Sequence, residues 1–185
     1  MVCEKKNRVA VIFFYFFIST LFYSCENDIQ KVKLFADLEK LPSEYLKDAT
    51  IFYSDSAKIT AKLTAKKIDH YTGKRSFTVM PKGINVIFYN SEERPETKMK
   101  ADYAIKYDDM DVIEAKRNVV VVNEKGETLN TEHLIWDQKK DRIFTDVFVK
   151  ITTKKEILIG DGLESNQSFS KYKILKLRGT IQMNE

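Results

Sequence analysis

The chain predicts an all-β domain behind a short export segment, and three observations carry this. From Thr50 onward, β-branched and aromatic residues alternate with polar ones in pieces of five to nine. Turn-forming clusters separate the pieces at regular intervals. The chain also resembles itself at an offset of thirty residues, with the phase of alternation kept.

The first element is an apolar run. A basic stretch, Lys5, Lys6 and Arg8, precedes Val9 to Tyr23, fifteen residues without a charge. A membrane-spanning helix needs about 20 apolar residues, so the run is short for that role and right for the core of a secretory signal. Phe22-Tyr23-Ser24-Cys25 resembles a bacterial lipoprotein processing site, in which a small residue precedes the cysteine that is acylated. Residues 1–24 are therefore expected to be a lipoprotein signal peptide and Cys25 the lipidation site, the other reading being an uncleaved signal anchor. Both readings place the remainder beyond the inner membrane. Two or more acyl chains attach a protein stably where one gives only marginal binding.

Removal of residues 1–24 leaves 28 basic against 26 acidic residues, a formal charge of +2 where the whole chain carries +4. That balance carries no strong bias toward nucleic acid or an acidic membrane. Cys3 leaves with the signal and Cys25 is consumed by acylation, so no thiol remains for a disulfide, for catalysis or for a metal. The remaining 161 residues suffice for one domain. Ile29, Val32, Phe35, Leu38 and Leu41 recur every third residue and suggest a short amphipathic turn or helix ended by Pro42. Residues 25–47 are expected to be a tether and residues 48–185 the β domain.

Clear strands are Ile84 to Tyr89, Val119 to Val122 and Ile143 to Thr152. Breaks are expected at Tyr71 to Lys74, Asn90 to Pro95, Tyr107 to Asp111, Asn123 to Gly126, Asp137 to Asp141, Lys154-Lys155 and Ser165 to Ser170. This makes ten or more short strands. Under the offset of thirty, Ile105, Asp111, Ile113 and Val119 fall on Ile135, Asp141, Ile143 and Val149. Ile113, Ala115, Val119 and Val121, then Ile143, Thr145, Val147, Val149 and Ile151, form one apolar stripe, because side chains two apart share a strand face. Arg117 interrupts that stripe. A looser third copy runs from Gly160 to Glu164 into Ile174 to Ile181. Hairpins of this kind stack into an elongated body with an apolar interior and open edges at both ends.

Several strings then resemble a known family: Met80 to Val86, Lys100 to Ala104, Asn118 to Asn123, Ile143 to Thr145, Ile159 to Leu163 and, most specifically, Gly126-Glu127-Thr128-Leu129-Asn130-Thr131-Glu132-His133-Leu134-Ile135-Trp136-Asp137. Over residues 45–185 the chain is similar to the LptC family of periplasmic lipopolysaccharide-export proteins, in the lipoprotein form of Bacteroidetes-type bacteria. The resemblance implies an open, twisted β-jellyroll of the OstA/LptA-like kind, whose apolar groove holds the acyl chains of lipopolysaccharide. It implies two protein partners: an inner-membrane ABC transporter that extracts the lipid, and a periplasmic LptA-like jellyroll that receives it through strand-edge pairing. An acylated Cys25 would stand in for the transmembrane helix of other members. Localisation is expected on the periplasmic side of the inner membrane.

The groove lining is expected from Ile84, Val86, Phe88, Ile113, Val119, Val121, Leu134, Trp136, Ile143, Val147, Val149 and Ile151. For any one of these residues a sealed core is the commoner situation, and only the collective pattern favours a groove. The lysine clusters Lys98/Lys100, Lys139/Lys140/Arg142, Lys154/Lys155 and Lys171/Lys173/Lys176/Arg178 are read as solvated faces and turns. His70 and His133 are the only histidines, and no cofactor or metal is expected. The acidic pairs Asp108/Asp109 and Asp137/Asp141 suit turn geometry better than a two-carboxylate glycosidase. No phosphate-binding loop, nucleophile elbow or dinucleotide fingerprint occurs, so the chain is expected not to be an enzyme. The competing reading is a surface or periplasmic lipoprotein of β-repeats that binds a glycan or another protein.

Overall fold

A computed structural model describes residues 41–183. The expected signal segment, Cys25 and the expected helix up to Lys40 lie outside the described residues. Eleven strands follow one another: β1 (Glu44–Asp55), β2 (Lys58–Tyr71), β3 (Phe77–Met80), β4 (Ile84–Tyr89), β5 (Pro95–Ala101), β6 (Tyr103–Tyr107), β7 (Val112–Asn123), β8 (Thr128–Asp137), β9 (Arg142–Thr152), β10 (Glu156–Asn166) and β11 (Tyr172–Gln182). Every pairing among them is antiparallel, and all strands join one sheet. The jellyroll-like, all-β architecture agrees with the expected class.

Most interstrand turns fall where Gly, Asp, Asn and Lys clusters predicted them; the β1–β2 turn at Ser56-Ala57 was not among the expected breaks. Asn90 shows why: its Oδ1 accepts from the backbone N–H of Glu92 and of Arg94, closing the β4–β5 turn. Asn123 does the same for Lys125 and Glu127 between β7 and β8. The first strand begins at Glu44, so its first four residues lie within the expected tether. Lys47 and Asp48 hide it from a pattern search, because two adjacent charges break the alternation.

The sheet is creased. Register shifts occur in β7 at Lys116/Val119, in β8 at Thr131/Ile135, in β10 at Asp161/Leu163 and at Ile159/Gly160 where β11 pairs. Along the same line Asp48, Arg117, Asn118, Gly83 and Gly162 have positive φ. β3 and β4 meet there at Gly83, and β5 and β6 at Asp102, so each pair acts as one strand broken at the crease. Arg117, which interrupts the apolar stripe, is part of this bulge. Bulges bend a strand and raise its twist.

The crease divides the sheet into two half-sheets. Half-sheet I holds β3, β6 and residues 44–47, 67–71, 112–116, 133–137, 142–145, 163–166 and 172–176. Half-sheet II holds β4, β5 and residues 49–55, 58–65, 119–123, 128–131, 149–152, 156–160 and 177–182. Their inner faces share one apolar core. Phe88 of half-sheet II meets Trp136 of half-sheet I edge to face at 4.9 Å between ring centroids, and Tyr53 of half-sheet II meets it at 5.2 Å.

Candidate lipid-binding cleft

Two half-sheets joined at a crease leave a long seam on the opposite side, bordered by two rows of turns. The turns after β2, β6, β8 and β10 border half-sheet I, and those after β1, β4, β7 and β9 border half-sheet II. Eleven of the twelve residues expected to line a groove are buried and point into this seam. Ile113, Leu134, Trp136 and Ile143 come from half-sheet I. Ile84, Val86, Phe88, Val119, Val121, Val149 and Ile151 come from half-sheet II. Val147 stands apart: it sits in the crease, its N–H donating to Thr145 Oγ1 at 3.3 Å, and it is 36% exposed.

The seam also collects residues that alternation did not single out. Leu63, Met99, Leu129 and Leu163 are fully buried there. Leu63 and Met99 carry the signal after the fact, since each alternates with lysines on its own strand. Phe169 carries none, because it lies in a turn. That turn, residues 167–171, leaves half-sheet I and crosses the mouth. Ser168 O accepts from Thr97 Oγ1 at 2.5 Å, and Phe169 O accepts from Asn123 Nδ2 at 2.9 Å, both donors belonging to half-sheet II. Trp136 Nε1 donates to Gln167 Oε1 at 2.8 Å. The Phe169 ring is fully buried and stacks on Tyr172 at 4.8 Å. Asn166, with Ser168 and Ser170, holds the turn through bonds of 2.8 to 3.1 Å. The turn is thus a polar-tethered plug with one aromatic side chain in the apolar seam.

Nearer β1 the mouth opens into a hollow of about 520 Å³ lined by Tyr53, Thr60, Lys106, Trp136, Gln138 and Gln167, among others. Burial pushes the Tyr53 phenol above its ordinary value, and a hydrogen bond with Gln138 offsets part of that rise. Burial also raises the Tyr172 phenol, with the nearby Glu127 and Glu156 carboxylates adding to it.

At both ends of the stack the apolar lining comes to the surface. Cross-strand partners share a face, so Leu46, paired with buried Ile68, points inward, as does Leu177, paired with buried Gly160. They are nonetheless 57% and 59% exposed, because among the described residues β1 and β11 each have one neighbour. Ile51, Tyr53, Leu158 and Ile174 continue the lining inward from these ends.

The titratable groups are engaged in surface structure. His70 Nδ1 lies 3.1 Å from Thr78 Oγ1 and His133 Nε2 lies 3.6 Å from Glu114. Asp137 receives Lys140 and Arg142 at 3.5 Å. Among the described residues no group of three or more His, Cys, Asp or Glu side chains converges, and no helix is long and apolar enough to cross a membrane.

A search of curated proteins returns no match. A family model described as "Lipopolysaccharide-assembly, LptC-related" matches residues 10–182, nearly the whole chain. Creased all-β sheet, apolar seam and family match agree, and the chain belongs to the LptC-related family, whose role is in lipopolysaccharide transport.

Proposed function

We propose that this chain is the membrane-anchored periplasmic link that takes lipopolysaccharide from an inner-membrane ABC transporter and passes its acyl chains along the apolar seam to a second jellyroll. The observation that carries the reading is the emergence of an inward-facing apolar lining at both ends of the stack, at Leu46 and at Leu177. A sealed domain would gain by covering both ends. A conduit needs both open.

The energetics favour such a path. Each exposed CH2 costs about 0.8 kcal/mol, so a twelve-carbon chain costs on the order of 10 kcal/mol in water. An apolar seam removes most of that cost without any catalytic group. The two half-sheets part along the mouth to admit the chains, and the 167–171 turn gives up the space held by Phe169. Among the described residues β1 and β11 present unpaired backbone edges, which suit addition of a strand from a neighbouring jellyroll. Once the signal is removed, the acyl chains on Cys25 hold the domain at the membrane.

Photocrosslinking tests this in cells. Benzoylphenylalanine at Leu46, Trp136 or Leu177 is expected to label lipopolysaccharide, while the same probe at Ile105, on the outer face of half-sheet I, is not. Failure of all three inward positions in a producing strain would overturn the reading in favour of a sealed glycan- or protein-binding module, the second reading, which the dense packing of the seam favours.

A further inference from the structure

The outer faces of the two half-sheets differ in charge. On half-sheet II two adjacent cross-strand rows run the width of the sheet. One begins Phe52, Lys62, Ile87, Lys98, Val122 and ends at Ile181. The next begins at Thr50, passes through Lys100, Val120 and Lys150, and ends at Gly179. Neither row contains a carboxylate. Glu96 lies beyond them toward the turns and Asp102 beyond them at the crease. The outer face of half-sheet I carries Asp69, Glu114 and Glu164 in one row, and two of its lysines are paired with them: Lys67 meets Asp69 at 2.7 Å and Lys116 meets Glu114 at 2.6 Å, while Lys47 and Lys173 near the two ends of that face are not paired among the described residues. Among the described residues Lys62, Lys98, Lys100 and Lys150 have no carboxylate within 4.0 Å.

We propose that the β2–β4–β5–β7 part of this outer face docks on an anionic phospholipid surface. Charge complementarity selects the partner, and the apolar groups between the lysines select a bilayer over a soluble polyanion. Ile87, Val120 and Val122 form the walls of a shallow apolar depression of about 430 Å³ with Lys98 and Lys100 at its rim. Lysine stems lie along apolar surface and carry their ammonium groups to the phosphate plane, while the aliphatic groups meet the boundary of headgroup and acyl chain. Adjacent strands rotate by roughly 20 to 25°, so nine strands turn through about half a circle and only a few meet one plane. The β2–β4–β5–β7 segment contains three of the four unpaired lysines. This docking is independent of what occupies the seam.

The full chain reconstituted into vesicles tests it. A benzoylphenylalanine probe at Val120 is expected to label phosphatidylglycerol in phosphatidylglycerol/phosphatidylcholine vesicles at least tenfold more than the probe at Ile135, on the opposite outer face. Each lysine near an anionic surface contributes roughly fivefold at low salt, so the triple substitution Lys62→Gln, Lys98→Gln, Lys100→Gln lowers the yield by more than an order of magnitude. Circular dichroism establishes that the variant keeps its sheet. Equal labelling from the two positions, or equal labelling in pure phosphatidylcholine, overturns the proposal. Labelling that appears only when lipopolysaccharide replaces phosphatidylglycerol also overturns it, by moving the partner from the bilayer to the transported lipid.

Discussion

Phe169 and Tyr53 each place an aromatic ring in the mouth of the seam, and each has a measurable consequence. Phe169 is the one large apolar side chain that a turn inserts between the half-sheets, held by Thr97 and Asn123 across the mouth. Phe169→Ala removes a buried ring, so urea unfolding should show a loss of about 3 to 5 kcal/mol, as for other buried aromatics truncated to Ala. If the ring occupies space that acyl chains use, the same variant should bind lipopolysaccharide more tightly in a fluorescent-lipid displacement assay. Tyr53 has a phenol raised above 10.0 in the folded state by burial. Its neutral form is the one the fold favours, so its contribution is complete below pH 10.0 and is lost as pH rises through the folded value. Thermal melts across the alkaline range should show stability falling less steeply in Tyr53→Phe than in the parent.

At the scale of elements, the crease depends on residues that tolerate left-handed backbone. Gly83 joins β3 to β4 with φ of 81°, and a Cβ there would lie 2.5 Å from the carbonyl oxygen of Ala101. The obstacle is backbone, which cannot turn aside as a side chain can. Gly83→Ala is therefore expected to cost upward of about 2 kcal/mol, since strain and steric clash act together. A folded but destabilised product by circular dichroism and urea titration would agree; an unchanged midpoint would refute the role of this glycine. The strands were legible where alternation was clean, as in β4, β7 and β9. β1 was not, because Lys47 and Asp48 occupy the crease, where the inward phase changes between Leu46 and Ala49. Local pattern cannot distinguish a break between strands from a bend within one.

For the whole molecule, the proposed handover has a direction. Crosslinks from residues 50–60 are expected to find the transporter, and those from 174–182 the receiving jellyroll; exchanged partners would reverse the proposed direction. Cys25→Ser is expected to abolish incorporation of labelled palmitate, and continued incorporation would remove the lipoprotein reading. The stack length and its rows of turns follow from the repeats, since each hairpin buries one face on the next.

The amino-acid sequence by itself determined that this chain is a thiol-poor succession of β-hairpins with one apolar face, because side-chain alternation and turn chemistry are local properties. It also marked eleven inward residues by that alternation. Tertiary structure decided which way the faces turn. Paired strands could have remained an open ribbon; the bulges at Arg117/Asn118, Gly162 and Gly83 fold it into facing halves. That fold brings Trp136 to Phe88 and carries Phe169 across to Asn123, forty-six residues away along the chain. It also gathers Lys62, Lys98 and Lys100 onto one outer face through cross-strand register, a long-range property that no single stretch of chain contains.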